Sequence, residues 1–247
     1  MRFSYNAVWE DTLGLLRRHA RLLAPVAGVF LFLPALLVAV FLPPPVPPRG
    51  ADLQRLLQLS IDYYQAGALW FLLQRLLLMV GALAMLRLVF VRDTVGGALV
   101  HGLRLTPFYF LLSIVCGFAI ALGLILLVLP GLYLFGRLVP LAAVLVAENR
   151  RNPFDAVGRT FALTRSHGWA ILGLVVAVAI VAGIAVGVAG ILFGLILILA
   201  AGQELGKLLA AVMVSGLDAA LTTMLVMLSA AIYRALAGRN AVAAAFE

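Results

Sequence analysis

From Trp169 to Gly202 the chain runs for 34 residues without one charged side chain. As helix, such a stretch is about 51 Å long at 1.5 Å per residue, well beyond the roughly 30 Å hydrocarbon core of a bilayer. A helix at the surface of a soluble globule would need a polar face, and this segment has none. The rest of the chain agrees, with 65% of its 247 residues hydrophobic, only 11% charged, and a mean hydropathy of +1.15. Soluble domains carry about 25% charged residues. Lipid is therefore the solvent, and a soluble fold is excluded.

About 20 apolar residues are enough to cross the hydrocarbon core, and six runs qualify. They are Leu22 to Leu42, Ala66 to Val91, Phe108 to Leu129, Leu132 to Ala147, Trp169 to Gly202, and Leu208 to about Ala237. The second contains Gln74, Arg75 and Arg87, the short fourth contains Arg137, and the sixth contains one acid, Asp218. Pro130-Gly131 leaves room only for a tight turn between the third and fourth runs. The fifth must tilt, kink or protrude. Its Gly183, Gly187, Gly190 and Gly194 permit close helix contact or a bend. The expected fold is all-α and polytopic, a single six-span membrane domain.

Basic residues are retained on the cytoplasmic side of short loops. Of the 18, thirteen fall on one side if both termini do: Arg2, Arg17, Arg18, Arg21, Arg87, Arg92, Arg104, Arg150, Arg151, Arg159, Arg165, Arg234 and Arg239. Arg49, Arg55 and Lys207 fall in the opposite loops, while Arg75 and Arg137 lie within spans. This predicts a multi-pass membrane protein with both termini in the cytoplasm, its first span acting as an uncleaved anchor. Net charge +8 is thus mainly an orientation signal. All but one of the basic residues are arginine, which fits either phosphate recognition or genome composition.

Each odd-numbered span follows a short amphipathic stretch. Residues 5–21 place Tyr5, Trp9, Leu13, Leu16 and Ala20 on one face; residues 93–105 place Val95, Ala98, Leu99 and Leu103 opposite His101 and Arg104. Residues 153–166 follow Asn152, a good N-cap, with Pro153 at the first helical position, and present Phe154, Val157 and Phe161. The pattern predicts three copies of interfacial helix plus transmembrane hairpin. A fourth interfacial helix is expected at 52–65, after the stiff Pro43-Pro44-Pro45-Val46-Pro47-Pro48 spacer, with Leu53, Leu56, Leu57, Ile61 and Tyr64 on its apolar face. Arg17, Arg18, Arg104, Arg150, Arg151, Arg159 and Arg165 are then candidate contacts for anionic headgroups, at about 1 kcal/mol per cation, or serve orientation alone.

Chemistry-bearing motifs are scarce. His19, His101 and His167 lie in three different segments, Cys116 is the lone cysteine, and no metal-binding, phosphate-cradling, nucleophile-elbow or dinucleotide motif occurs. The expectation is a non-enzymatic protein without metal or cofactor. Charges inside the membrane are the sharper signal, since each costs several kcal/mol unless paired or watered. If the even-numbered spans enter from the outer side, Arg75, Arg137 and Asp218 share one depth. They would form either a structural ion pair with a snorkelling arginine or a site with surplus positive charge for a lipid phosphate or other anion.

Residues 130–169, PGLYLFGRLVPLAAVLVAENRRNPFDAVGRTFALTRSHGW, resemble the membrane domain attached to some bacterial glycerophosphoryl diester phosphodiesterases and the related stand-alone YciC-like inner-membrane proteins. The matching elements are Pro130-Gly131, Arg137, Glu148, the segment from Ala156 to Arg165 closing on Trp169, and a terminal AAIYRALAG with Tyr233 and Arg234. The resemblance implies an inner-membrane domain and not the hydrolase activity. That activity belongs to a separate soluble barrel with a His-Arg-Gly signature, which this chain lacks. Two functions are expected. One is organisation or regulation of membrane components through helix contacts and basic cytoplasmic helices; the other is binding or transport of a lipid or amphiphile at Arg75, Arg137 and Asp218. Both imply membrane lipids, anionic ones in particular, as partners. The first adds a membrane-protein partner, and neither involves nucleic acid.

Overall fold

The computed structural model describes residues 4–46, 48, 50, 52–91, 93–149 and 153–244, with side chains for these except Pro153 and 239–244. Arg2, Arg49, Arg92, Arg150, Arg151 and Asn152 lie outside the described residues, as does the side chain of Arg239. The N-cap assigned to Asn152 and the headgroup contacts assigned to Arg150 and Arg151 therefore fall outside them too.

The described elements are helices: α1 (Tyr5–Ala27), continued through a π-helical stretch Gly28–Phe32 into α2 (Leu33–Phe41), then α3 (Leu53–Ala66), α4 (Ala68–Phe90) and α5 (Val95–Leu126). After these come α6 (Val128–Leu138), α7 (Leu141–Ala147), α8 (Pro153–Thr164), α9 (Gly168–Ala201) and α10 (Gln203–Ala244). Joined where they are continuous, they make six helices long and apolar enough to cross a membrane: Tyr5–Phe41, Ala68–Phe90, Val95–Leu126, Val128–Ala147, Gly168–Ala201 and Gln203–Gly238. The chain is all-α and polytopic.

Two of the three expected interfacial helices are not separate elements. Residues 5–21 run on into the first span and residues 93–105 into the third. Neither junction contains a residue that stops a helix; Pro25 and Pro107 are absorbed inside α1 and α5, as membrane helices allow. Only α8 stands apart, ended by the turn at 165–167 before α9 begins. The buried face of α1 also differs from the expected one. Val8, Thr12, Leu15, Leu23 and Val26 are buried while Tyr5 and Ala20 are exposed. Thr12 turns inward because its hydroxyl donates to the Val8 carbonyl at 2.8 Å, so the residue buries no unpaired polar atom. α3 forms as a separate helix with no buried residue, and its Leu53, Leu57 and Tyr64 are exposed.

Span five is one unbroken helix, and a single residue, Gly202, joins it to α10. Gly202 sits at φ 79° and ψ 174°, a region open essentially to glycine alone. Packing is uneven along the bundle. Leu83, Met85 and Leu86 of α4, Val144 and Val146 of α7, and Met227 and Ile232 of α10 are almost wholly buried. At the other end Ile125 is 81% exposed and Leu199 77%. The packed end also carries most of the described arginines and is called the basic end below.

The α4–α5 hairpin shows how close the packing is. Ala98, Gly102 and Thr106 form a buried stripe of small residues on α5. A Cβ on Gly102 would lie 2.9 Å from the Val80 carbonyl oxygen and 3.2 Å from the Ala84 nitrogen. In lipid, where apolar surface gains nothing by pairing, such backbone approach is what holds helices together.

Candidate functional site

The three intramembrane charges do not converge. Arg137, on the last turn of α6, reaches α8: its Nε donates to Thr164 Oγ1 at 3.2 Å and its Nη2 donates to the Phe161 carbonyl. The guanidinium also lies 4.4 Å from the Phe161 ring centre and 5.5 Å from that of Tyr133. This corrects the expectation of a shared layer, because Arg137 caps the carbonyl end of α8 and is spent on holding that helix. Asp218 is exposed on α10. Neither Asp218 nor Arg75 has an ion-pair or hydrogen-bond partner among the described residues. The buried Arg-Asp pair is not formed.

Arg75 instead lines a cavity of about 440 Å³ between α4, α5, α6, α7, α9 and α10. That volume is within the roughly 300–1,000 Å³ usual for small-ligand sites. Arg75 and Phe135 are exposed, so the cavity opens to the bundle perimeter beside them. Tyr109, Ser113 and Cys116 of α5 line it at spacings of four and three, one face of a helix, with Thr222 and Ser229 of α10 across the space. The hydroxyls of Ser113 and Ser229 donate back to Phe110 and Val226 carbonyls at 2.7 and 2.8 Å, leaving their oxygens as acceptors. Leu78, Leu138 and Leu225 supply apolar wall. The site thus offers one cation at its edge, a few hydroxyls and a mainly apolar interior. Its signal in the sequence is the polar face Tyr109–Ser113–Cys116 within an otherwise apolar span, which a search for charges passes over.

At the basic end three of the described arginines are paired within the protein. Arg159 Nε meets Glu148 Oε1 at 3.0 Å, and the Tyr233 hydroxyl lies 3.5 Å from the same oxygen. Tyr233 in turn packs edge-on to Phe90, with ring centres 5.4 Å apart. Glu148 therefore ties α7 to α8 and α10 beside the end of α4. Arg234 pairs with Asp11 at 3.0 Å, and Arg87 with Asp93 at 3.3 Å. This revises the role assigned to Arg159, whose partner is a carboxylate of its own chain. Arg17, Arg18, Arg104 and Arg165 are exposed and remain available to headgroups.

Glu148→Ala removes the carboxylate that joins these helices, and its side chain is only 17% exposed. The expected cost is about 1 kcal/mol, because the Arg159 side chain left behind is 36% exposed and solvent screens the pair. Thermal unfolding in detergent of Glu148→Ala, Arg159→Ala and the double variant measures it; purely additive losses would show that the pair does not couple.

The histidines are scattered. His19 Nδ1 is 3.0 Å from the Leu15 carbonyl and His167 Nδ1 is 2.8 Å from Ser166 Oγ, while His101 Nε2 is buried with no hydrogen-bond partner. No group of three or more His, Cys, Asp or Glu side chains suited to a metal occurs among the described residues. No family model, curated protein or solved structure matches the chain.

Proposed function

We propose that the protein binds anionic amphiphiles of the bilayer, taking the charged head at Arg75 and part of the apolar body into the cavity between its spans. The observation that carries this reading is a guanidinium with no ion-pair or hydrogen-bond partner among the described residues, at the mouth of an apolar cavity set among membrane-crossing helices. An isolated charge in that position costs several kcal/mol unless something else satisfies it, and a phosphate or carboxylate head does so with charge-assisted bonds. In this reading Arg137 and Asp218 are not ligand groups. The site is non-enzymatic. The basic end faces the cytoplasm of a bacterial inner membrane, as retention of arginines on that side implies. Arg75 lies twelve residues, about 18 Å of helix, from Arg87, hence in the outer half of the membrane.

The test is lipid content after mild detergent extraction, read by native mass spectrometry. Arg75→Ala is expected to lower bound anionic lipid about tenfold, as loss of a charge-assisted contact does, while Arg75→Lys keeps much of it. Unchanged lipid in Arg75→Ala would sink the proposal.

Organisation of neighbouring membrane proteins is the second reading. What favours it is the exposed face of α9 at Gly183 and Gly187, where an added Cβ would meet nothing within 4 Å. It predicts a protein partner that crosslinks through α9.

A further inference from the structure

A second concave site lies at the basic end, about 540 Å³ in volume, where α1 crosses the end of α4 and the last turns of α10. Its floor and wall are Leu15, Val89 and the Phe90–Tyr233 ring pair, and its polar lining is Arg18, His19 and Arg234. The charges there are unbalanced. Of the two carboxylates nearby, Glu148 at the Tyr233 hydroxyl is engaged by Arg159 and Asp11 by one nitrogen of Arg234, each at 3.0 Å. A guanidinium has five N–H donors, so Arg234 keeps several, and Arg18 has no hydrogen-bond or ion-pair partner among the described residues. His19 spends Nδ1 on the Leu15 carbonyl at 3.0 Å, which leaves Nε2 as its other polar atom. Arg17 and Arg21 flank the site on the same helix without lining it.

We infer that this pocket binds a phosphate group, with Arg18 and Arg234 as the paired forks and the Phe90–Tyr233 wall taking the apolar part of the molecule that carries it. Two guanidiniums on facing helices can both donate to the non-bridging oxygens of one phosphate, which diverge tetrahedrally where a carboxylate's two oxygens lie in one plane. The apolar wall discriminates between phosphate in a larger molecule and the bare ion. The site is separate from the Arg75 cavity and shares no lining residue with it.

The phosphate comes either from a phospholipid headgroup at the membrane surface or from a soluble phosphorylated compound, and two arms of one experiment separate these sources. The full chain, carrying Arg75→Ala so that the cavity between the spans does not contribute, is placed in phosphatidylcholine nanodiscs and titrated with phenyl phosphate by calorimetry; in parallel, phosphatidylglycerol is added to the discs and retained lipid is counted by native mass spectrometry. Saturable binding in the first arm assigns a soluble ligand, and in the second arm a headgroup. In whichever arm binds, Arg18→Gln is expected to weaken it about tenfold, and Arg17→Gln, with the same charge change, less than twofold. Gly238 lines the pocket and an added Cβ there meets nothing within 4 Å. Gly238→Leu should therefore fill the site and abolish binding with no loss of charge or of folded protein. Absence of binding in both arms, or equal losses in Arg17→Gln and Arg18→Gln, overturns the assignment.

Discussion

Arg137→Ala is expected to lower stability by about 3 kcal/mol and to free α8 from the bundle. Charge-assisted hydrogen bonds are worth about 1.5–3 kcal/mol each when a partner is left stranded, and a cation over an aromatic ring adds about 0.5–1 kcal/mol. Arg137 makes two of the former, to Phe161 and Thr164, and has two rings, Phe161 and Tyr133, within reach. Its removal leaves the Phe161 carbonyl without its donor at the end of a 12-residue helix, short enough to depend on tertiary contacts for its existence. Two measurements report on this: the melting temperature in detergent, and amide hydrogen exchange over residues 153–164. Arg137→Lys keeps the charge but not the fork and should fall between. Thr164→Val removes one acceptor and should cost about 1 kcal/mol. Wild-type protection of α8 in Arg137→Ala would mean that the helix is held by the packing of Ala156, Thr160 and Leu163 and by the Arg159–Glu148 pair.

The difference between Arg137 in the sequence and Arg137 in the structure shows where sequence reading stops. Six spans are legible because lipid imposes its demand on each segment locally, and the charge-free run of α9 satisfies it unaided. The partner of a charge inside a span is not local. Depth counting places Arg137 with Arg75 and Asp218, but depth says nothing about azimuth, and α8 folding back on α6 supplies an uncharged partner, a backbone carbonyl, that no charge pattern announces. Helix junctions fail for a related reason. The amphipathic stretches at 5–21 and 93–105 have a real polar-apolar division, yet what stops a helix is a cap or a breaker, and Pro25 and Pro107 prove to be neither in this setting. On α1 the inward stripe passes through Thr12, which a hydrophobicity criterion assigns to the surface although its back-bonded hydroxyl suits the interior. The cavity face Tyr109–Ser113–Cys116, by contrast, is present in the sequence at helical spacing. Only its counterpart across the space, Thr222 and Ser229, depends on the fold.

Gly102→Leu is expected to have the largest effect on the bundle, about 3 kcal/mol or more, the upper range for overpacking a well-filled contact. Its neighbours decide the magnitude. The atoms nearest an added Cβ are the Val80 carbonyl oxygen and the Ala84 nitrogen, backbone of α4 that cannot move without breaking helical hydrogen bonds, whereas a side-chain neighbour would simply rotate. Gly102→Ala, which adds the Cβ alone, should cost about 1–2 kcal/mol. Thr106 hydrogen-bonds the Gly102 carbonyl at 2.8 Å, so a shift of α5 also displaces the turn that leads to Tyr109 and the Arg75 cavity. The two functions of the hairpin are thereby coupled: separating α4 from α5 at Gly102 widens the cavity they share at Arg75 and Tyr109. Detergent melting reads the first effect and retained anionic lipid the second. Both should decline together in Gly102→Ala, while Gly183→Ala on the open face of α9, where nothing lies within 4 Å, should leave both unchanged. If Gly102→Ala melts as wild type, the close approach of α4 and α5 is not what holds this hairpin, and stability must come from the packed layer around Leu83, Leu145 and Met227.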